Sequence, residues 1–354
     1  MRRYTQIDML KGIGILMVLV NHSYRFVYMH PAIFHFSRSC VQLLVFAAGI
    51  NAYLSFDKAV SEKGNAVCMH YVCRRSKGIL IPYAVFTLFF LLLWKKRLVL
   101  GDFISFLISF NIASPVYFVP IFIQMVCATP FLYAIVKKLK NTGQTVLVTA
   151  LALFVFGIFS SRTYIADIFG SGKYLLGGSY GWVFFLGLIF GKALLRHQMA
   201  GQALNTSGIK KRGAMIWALL ALWAMSFYPF AKAHAYLNGL IPNWGGNPPG
   251  LDSILEGFLI IAAIWVLTGL AEKDNYTWVL RLTQPIKLCG KYSLYIFLWH
   301  MFIKAGMNQI IKYFSFSSQS IWYGIPFFIG STAVVIAAKK LVDMSVESIQ
   351  REWV

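Results

Sequence analysis

An all-α bundle that crosses a membrane about ten times, with both termini cytoplasmic, is the fold class this sequence predicts. Three observations carry that reading. Hydrophobic residues make up 58% of the chain and charged residues 13%, whereas a soluble domain is about half apolar and about a quarter charged. Mean hydropathy is +0.64, and the apolar residues come in runs near the ~20 residues that cross a hydrocarbon core. The 33 Lys and Arg residues lie in short segments between those runs and mostly on alternate sides, which is how basic residues orient membrane helices.

The spans are expected near 8–29, 38–56, 78–94, 115–136, 145–160, 179–195, 213–231, 251–270, 288–305 and 320–338. The first follows Arg2 and Arg3 and reaches full length only by continuing through Asn21 and His22 to Met29. It imitates a signal peptide but meets no small-x-small cleavage site, so it reads as a retained helix. Arg74, Arg75 and Lys77 precede the third span, Lys137 and Lys138 close the fourth, Lys210–Arg212 open the seventh, and Lys339 and Lys340 close the tenth. The stretch 98–112, bounded by Lys95–Arg97, is more weakly apolar and reads as an interfacial helix. No repeat, low-complexity tract or soluble domain appears, so residues 1–354 read as one membrane domain.

With the N-terminus inside, all basic residues but Arg25, Arg38, Lys95, Lys96, Arg97, Arg162, Lys173, Lys232, Lys304 and Lys312 fall on the cytoplasmic side. The loop 57–77 is then cytoplasmic and the loop 232–250 external. A net charge of +21 would suggest nucleic acid in a soluble chain. Here the cations meet anionic headgroups in short loops. Membrane lipid is therefore the expected partner, nucleic acid is not, and the chain is placed in the cell (inner) membrane as a multi-pass protein. Cys40, Cys68, Cys73, Cys127 and Cys289 show no metal-type spacing and read as free thiols, Cys68 and Cys73 in a loop.

The residues that carry chemistry start on the first span. Lys11 and His22 are eleven residues apart, close to three helical turns, which puts them on one face and about 16 Å apart along the axis. An ionisable side chain in the outer half of a span is a functional candidate. Imidazole titrates near neutrality and can take a hydroxyl proton, so His22 reads as a general base, or else as a bundle histidine held by a hydrogen bond. Lys11 can pair with Asp8 one turn earlier and serve only as an anchor. Arg74, Arg75 and Lys77 at a membrane entrance suit a phosphate-bearing ligand, and equally anionic lipid. Glu256, one turn after Asp252 near the outer end of the eighth span, would orient a histidine or bind a sugar hydroxyl, or else pair with Arg25 or Arg38. His300 ends KYSLYIFLWH near the same side, as a site residue or a structural one beside Trp299. Gln42, Asn51 and Gln124 within spans could bond helices together or line a channel. GSGKY around Lys173 lacks the phosphate-loop spacing, the glycine-rich run GSGKYLLGGSYG reads as a flexible outer loop, and no GxSxG or HExxH occurs.

The runs IDMLKGIGILMVLVNHS, RRSKGILIPY, SPVYFVPIFIQMVCATPFLY, GWVFFLGLIFGK and GKYSLYIFLWH together resemble the acyltransferase-3 superfamily of integral-membrane acyltransferases, in the family's order and over nearly the whole chain. The resemblance implies transfer of an acyl group, often acetyl, from cytoplasmic acyl-CoA to a hydroxyl of a surface or secreted glycan or its lipid-linked precursor, without a metal. It implies Lys11, Arg74 and Arg75 as ligands of the CoA phosphates, His22 as the base, and Ser293 and His300 as the family's late serine and histidine. Glu256 joins His22 and His300 as the third catalytic candidate. Lys11 stands where many members have Arg, Gly78 where a second Arg is common, and Ala48 where Ser precedes Gly49. The rival readings are a transporter or flippase with His22 and Glu256 as a proton relay, and a non-catalytic membrane scaffold.

Overall fold

A computed structural model describes residues 4–23, 36–64, 67–95, 99–161, 175–199, 206–226, 229–240, 248–273, 276–314 and 321–352, and among these no strand occurs. In chain order the helices are α1 (Thr5–His22), α2 (Cys40–Lys63), α3 (Val67–Phe90, extended by a π turn at Leu91–Lys95), α4 (Leu100–Ser109), α5 (Phe118–Lys138) and α6 (Thr142–Ser161). There follow α7 (Ser179–Met199), α8 (Thr206–Ser226), α9 (Ala231–Gly239), α10 (Leu251–Lys273), α11 (Thr277–Leu282) and α12 (Gln284–Lys291). The last three are α13 (Ser293–Phe314), α14 (Ile321–Ile329) and, after a second π turn at Gly330–Val334, α15 (Val335–Glu352).

Six segments are long and apolar enough to cross a membrane: Phe36–Glu62, Val67–Leu93, Pro115–Lys138, Thr142–Ser160, Leu251–Glu272 and Tyr323–Ser345. A seventh is reached if α8 from Gly213 and α9, whose axes meet at 103°, count as one broken span. The expected seventh span is therefore bent rather than straight. Helices α1, α7 and α13 are of similar length but carry polar side chains, among them Asp8, Lys11 and His22, Lys192, and His300 and Lys304, which lower their hydropathy. Their polar groups are tolerable because much of each helix is covered by protein: Leu10, Ile15 and Leu19 of α1, Val183 and Leu188 of α7 and Ile296 of α13 are fully buried. By contrast Val146, Leu147, Leu151 and Phe154 of α6 are exposed and form a lipid-type surface.

Several boundaries differ from the sequence reading. Helix α3 begins at Val67, so Arg74, Arg75, Lys77, Cys68 and Cys73 stand on helical turns rather than in a loop. The ninth expected span breaks at Tyr292 into α12 and α13. The continuation of the first span past Ser23 lies outside the described residues, as does Lys173. The end of the glycine-rich run is packed rather than flexible. Gly177 and Gly178 take the left-handed backbone at φ +75° and +58°, and a Cβ at Gly178 would lie 2.7 Å from Ser160 Oγ. The Ser179 N–H donates to that Oγ at 2.7 Å and Ser179 Oγ donates to Pro249 O at 2.6 Å. Within 98–112, where an interfacial helix is expected, the chain forms the short apolar helix α4, with Leu100, Ile104 and Ile108 exposed along it.

Helices in lipid gain nothing from burying apolar surface against one another, so close backbone packing holds them together. Glycine supplies it at two places. In α2 and α7, a Cβ at Gly49 would strike Phe184 O, one at Gly187 would strike Phe46 O, and one at Gly191 would lie 2.9 Å from the Tyr53 Cβ. In α1 and α12, a Cβ at Gly12 would overlap the Ile286 carbonyl and one at Gly290 the Asp8 carbonyl. Lys192 of α7 ties a third helix in, because its Nζ donates to the carbonyls of Val136 (2.7 Å), Leu139 (2.6 Å) and Lys137 (3.1 Å) at the end of α5. A cation there donates to carbonyls at the helix end, where the ladder runs out, and meets the negative end of the helix dipole.

Gly290→Leu should destabilise the protein by about 1–3 kcal/mol or more, the usual penalty for overpacking. Gly78→Ala, with nothing within 4 Å of its Cβ, should be neutral or slightly stabilising. Thermal denaturation of both variants in detergent measures the difference, and equal melting temperatures would remove the packing role assigned to Gly290.

Candidate functional site

The close approach of α12 to α1 fixes what lies further along both. Gly290 sits against Asp8 and Gly12, and ten residues beyond Gly12 and Gly290 stand His22 and His300. Their ring centroids are 5.0 Å apart with planes inclined by 46°. Two residues singled out separately in the sequence therefore form one pair. His300 is fully buried, and its Nδ1 lies 2.6 Å from Phe297 O. A carbonyl can only accept, so Nδ1 carries the proton, and in the neutral ring the lone pair is on Nε2. That Nε2 is buried and has no hydrogen-bond partner. Lys304, one turn further on the same face of α13, is also buried.

Glu256 is buried too, at 2% exposure, and its Oε1 has no partner. Its helix is placed by Gln6 Nε2, which donates to Glu272 at 2.8 Å, so the end of α10 lies beside the start of α1. Glu256 is about 24 Å back along α10, toward the end of the bundle at which α1 finishes in His22. Among the described residues no hydrogen bond or ion pair joins it to either histidine, and Arg25, one candidate partner, lies outside them. A buried polar atom without a partner costs about 1–3 kcal/mol. Two such atoms, His300 Nε2 and Glu256 Oε1, leave open an acceptor and a carboxylate at this end of the bundle.

Lys11 occupies the other end of α1. It pairs with Asp8 at 3.2 Å, as the spacing predicted. Arg74 and Arg75 are exposed on α3, whose Tyr71 packs edge-on against Phe56 of α2 at 4.9 Å and lies 3.1 Å from Ser55 Oγ through its hydroxyl. Arg75 lies over the Tyr71 ring at 5.6 Å. Further along α3, Phe86 and Phe89 pack edge-on against Trp299, the neighbour of His300, at 5.9 and 5.7 Å. Arg75 precedes Phe86 by the same eleven residues that separate Lys11 from His22, about 16 Å of helix. The cations on α1 and α3 are thus set back equally from the level of the histidines, on different helices. Gln42 and Gln124 bond helices together: Gln42 Nε2 donates to Ser253 O at 2.9 Å, and Gln124 Oε1 accepts from the Leu176 N–H at 2.8 Å.

One constellation was not legible in the sequence. His234 Nδ1 is 2.7 Å from Asp252 Oδ1, and its Nε2 is 2.7 Å from Ser226 Oγ. Its members come from α8, α9 and α10, at spacings that match no motif, and only the turn between α8 and α9 brings them together.

The family model described as an acyltransferase domain matches residues 4–340. The chain belongs to that family, acyltransferase-3. No curated protein and no solved structure matches it.

The fixed Nε2 of His300 gives a test of the pair. His300→Phe keeps an aromatic ring on α13 and removes that nitrogen together with the Nδ1–H bonded to Phe297 O. It should lower acyl transfer by about 100-fold, the scale of a proton-transfer group, with little change in melting temperature. Transfer at the wild-type rate in a folded His300→Phe protein would make His300 a packing residue.

Proposed function

We propose that this acyltransferase is an O-acetyltransferase that carries an acyl group from cytoplasmic acyl-CoA to a hydroxyl of a surface or secreted glycan, or of a lipid-linked sugar. Ten spans, as one membrane domain with both termini cytoplasmic, would place Lys11, Arg74 and Arg75 at the inner face, where they hold the CoA phosphates. The observation that carries the reading is the His22–His300 pair at 5.0 Å on the helix that bears Lys11 at its other end.

The chemistry follows from that layout. The acceptor hydroxyl lies against His22, and one ring nitrogen takes its proton as the oxygen attacks the thioester carbonyl. His300 Nε2 accepts from His22 and steadies the ring while it is charged. Glu256 Oε1 accepts a hydrogen bond from the sugar. The carbon–sulfur bond breaks, and the proton on His22 passes to the departing CoA thiolate. Transfer through an acyl-histidine would use the same two rings.

A transporter or flippase draws on one observation, the 103° break between α8 and α9, since broken helices line many transport sites. The family match favours transfer chemistry. Purified protein in detergent, with no compartments to transport between, separates the two. Mass spectrometry should show an acyl mass added to a glycan acceptor from acetyl-CoA, and His22→Ala should reduce it by at least about 100-fold at unchanged protein level. Full turnover by that variant would remove His22 from the mechanism.

Topology is checked with an impermeant thiol reagent in a variant otherwise free of cysteine. Cys68, exposed near the start of α3, should react only after permeabilisation. A cysteine at the exposed position Lys232 of α9 should react in intact cells. The reverse pattern would put His22 on the cytoplasmic side and end the case for transfer across the membrane.

A further inference from the structure

The outer elbow of α8, α9 and α10 holds a nucleophile, a base and an acid in a chain. Ser226 Oγ is 2.7 Å from His234 Nε2, and His234 Nδ1 is 2.7 Å from Asp252 Oδ1. The side chains of His234 and Asp252 are 11% and 10% exposed. A carboxylate accepts, so His234 Nδ1 donates to Asp252, and the neutral ring presents its Nε2 lone pair to the serine hydroxyl. That order of roles, acid orienting base and base facing hydroxyl, is what activates a serine on unrelated folds. Ser226 Oγ donates to Trp223 O at 2.7 Å, so its hydrogen must turn from that carbonyl to Nε2 before His234 can take it.

A second observation points to a ligand. Trp223, one turn before Ser226, packs edge-on against the His234 ring at 5.2 Å. Its indole Nε1–H is buried without an acceptor. A buried donor with no acceptor, on the ring that packs against the base, is a candidate to stabilise a developing oxyanion. Among the described residues, Glu256 lies one turn beyond Asp252 on α10 with Arg38 as an electrostatic neighbour, and Lys232 is exposed on α9.

We propose that Ser226, His234 and Asp252 form a second nucleophilic centre, which takes the acyl group of an ester or thioester onto Ser226. Ser226 Oγ bonds to the acyl carbon as its proton passes to His234 Nε2, and Trp223 Nε1–H donates to the oxyanion. The bond to the leaving alcohol or thiol then breaks, and that group takes the proton from Nε2. The acyl-serine returns its acyl group to water or another hydroxyl by the reverse proton movements. The proposal stands on this network and does not depend on His22.

A fluorophosphonate, which phosphonylates activated serines without any acyl donor, tests it on the purified full chain in detergent. Peptide mass spectrometry should find the phosphonyl group on Ser226 in the wild type and equally in His22→Ala, so the two readings fail separately. His234→Gln should slow labelling by about 100-fold. Trp223→Phe, which keeps an aromatic ring but loses the pyrrole half of the indole with its N–H, should slow it by about 100-fold as well. An unlabelled Ser226 in the wild type overturns the proposal and leaves the network as a clamp holding the elbow together. Labelling that is equally fast in folded His234→Gln overturns it too.

Discussion

The contact on which the rest depends is the approach of α12 to α1 at Gly12 and Gly290. With no hydrophobic force to drive helices together in lipid, backbone proximity supplies dispersion and fixes register. Because a Cβ at either glycine would enter the opposing carbonyl, the register cannot slip by a residue without separating the helices. That constraint carries ten residues along both segments and delivers His22 to His300. The distance between the two imidazoles is thus set by two residues that have no side chain.

A second layer of polar bonds follows the same logic. Each buried polar group on an inner helix is either spent on structure or left open. Lys192 caps α5, Gln42 joins α2 to α10, and Gln124 pins the turn at Leu176. His300 Nδ1 is spent on Phe297 O, which leaves Nε2 open. Reading which nitrogen is spent is what gives the pair a direction for proton movement.

The all-helical, multi-span character was legible because lipid imposes it: apolar length is a direct consequence of the solvent. Lys11 with Asp8 and Lys11 with His22 were legible because they share one helix, and helical spacing is local. The His22–His300 contact was not, since it depends on α12 and α13 packing against α1 across more than two hundred and fifty residues of chain. Helix α3 was placed too late because Arg74 and Arg75 look like loop residues in a hydropathy reading, although arginine is a good helix former. The break between α8 and α9 and the network at His234 were illegible because they lie in a bend, where no periodicity operates. Helices α1, α7 and α13 look less apolar than spans should because protein replaces lipid around much of their surface; Lys192 is spent on capping α5, while His22 and His300 meet as a pair.

The same packing bears on how an acyl group would move. Lys11 and His22 stand about 16 Å apart on one helix, and α1 is locked to α12 between them by Gly12. Alternating access requires one group of helices to rock against another around a fixed site. Rocking at the α1–α12 seam would have to pull apart backbones already in contact, and would draw His22 away from His300 in the process. A transferase needs no such motion. If the cations hold the donor at one level and the histidines meet the acceptor at another, the moving element is the substrate's own thioester arm, and the protein contributes a rigid separation. Rigidity at this seam would suit a base that must be held in place for chemistry, and it is a liability for a carrier.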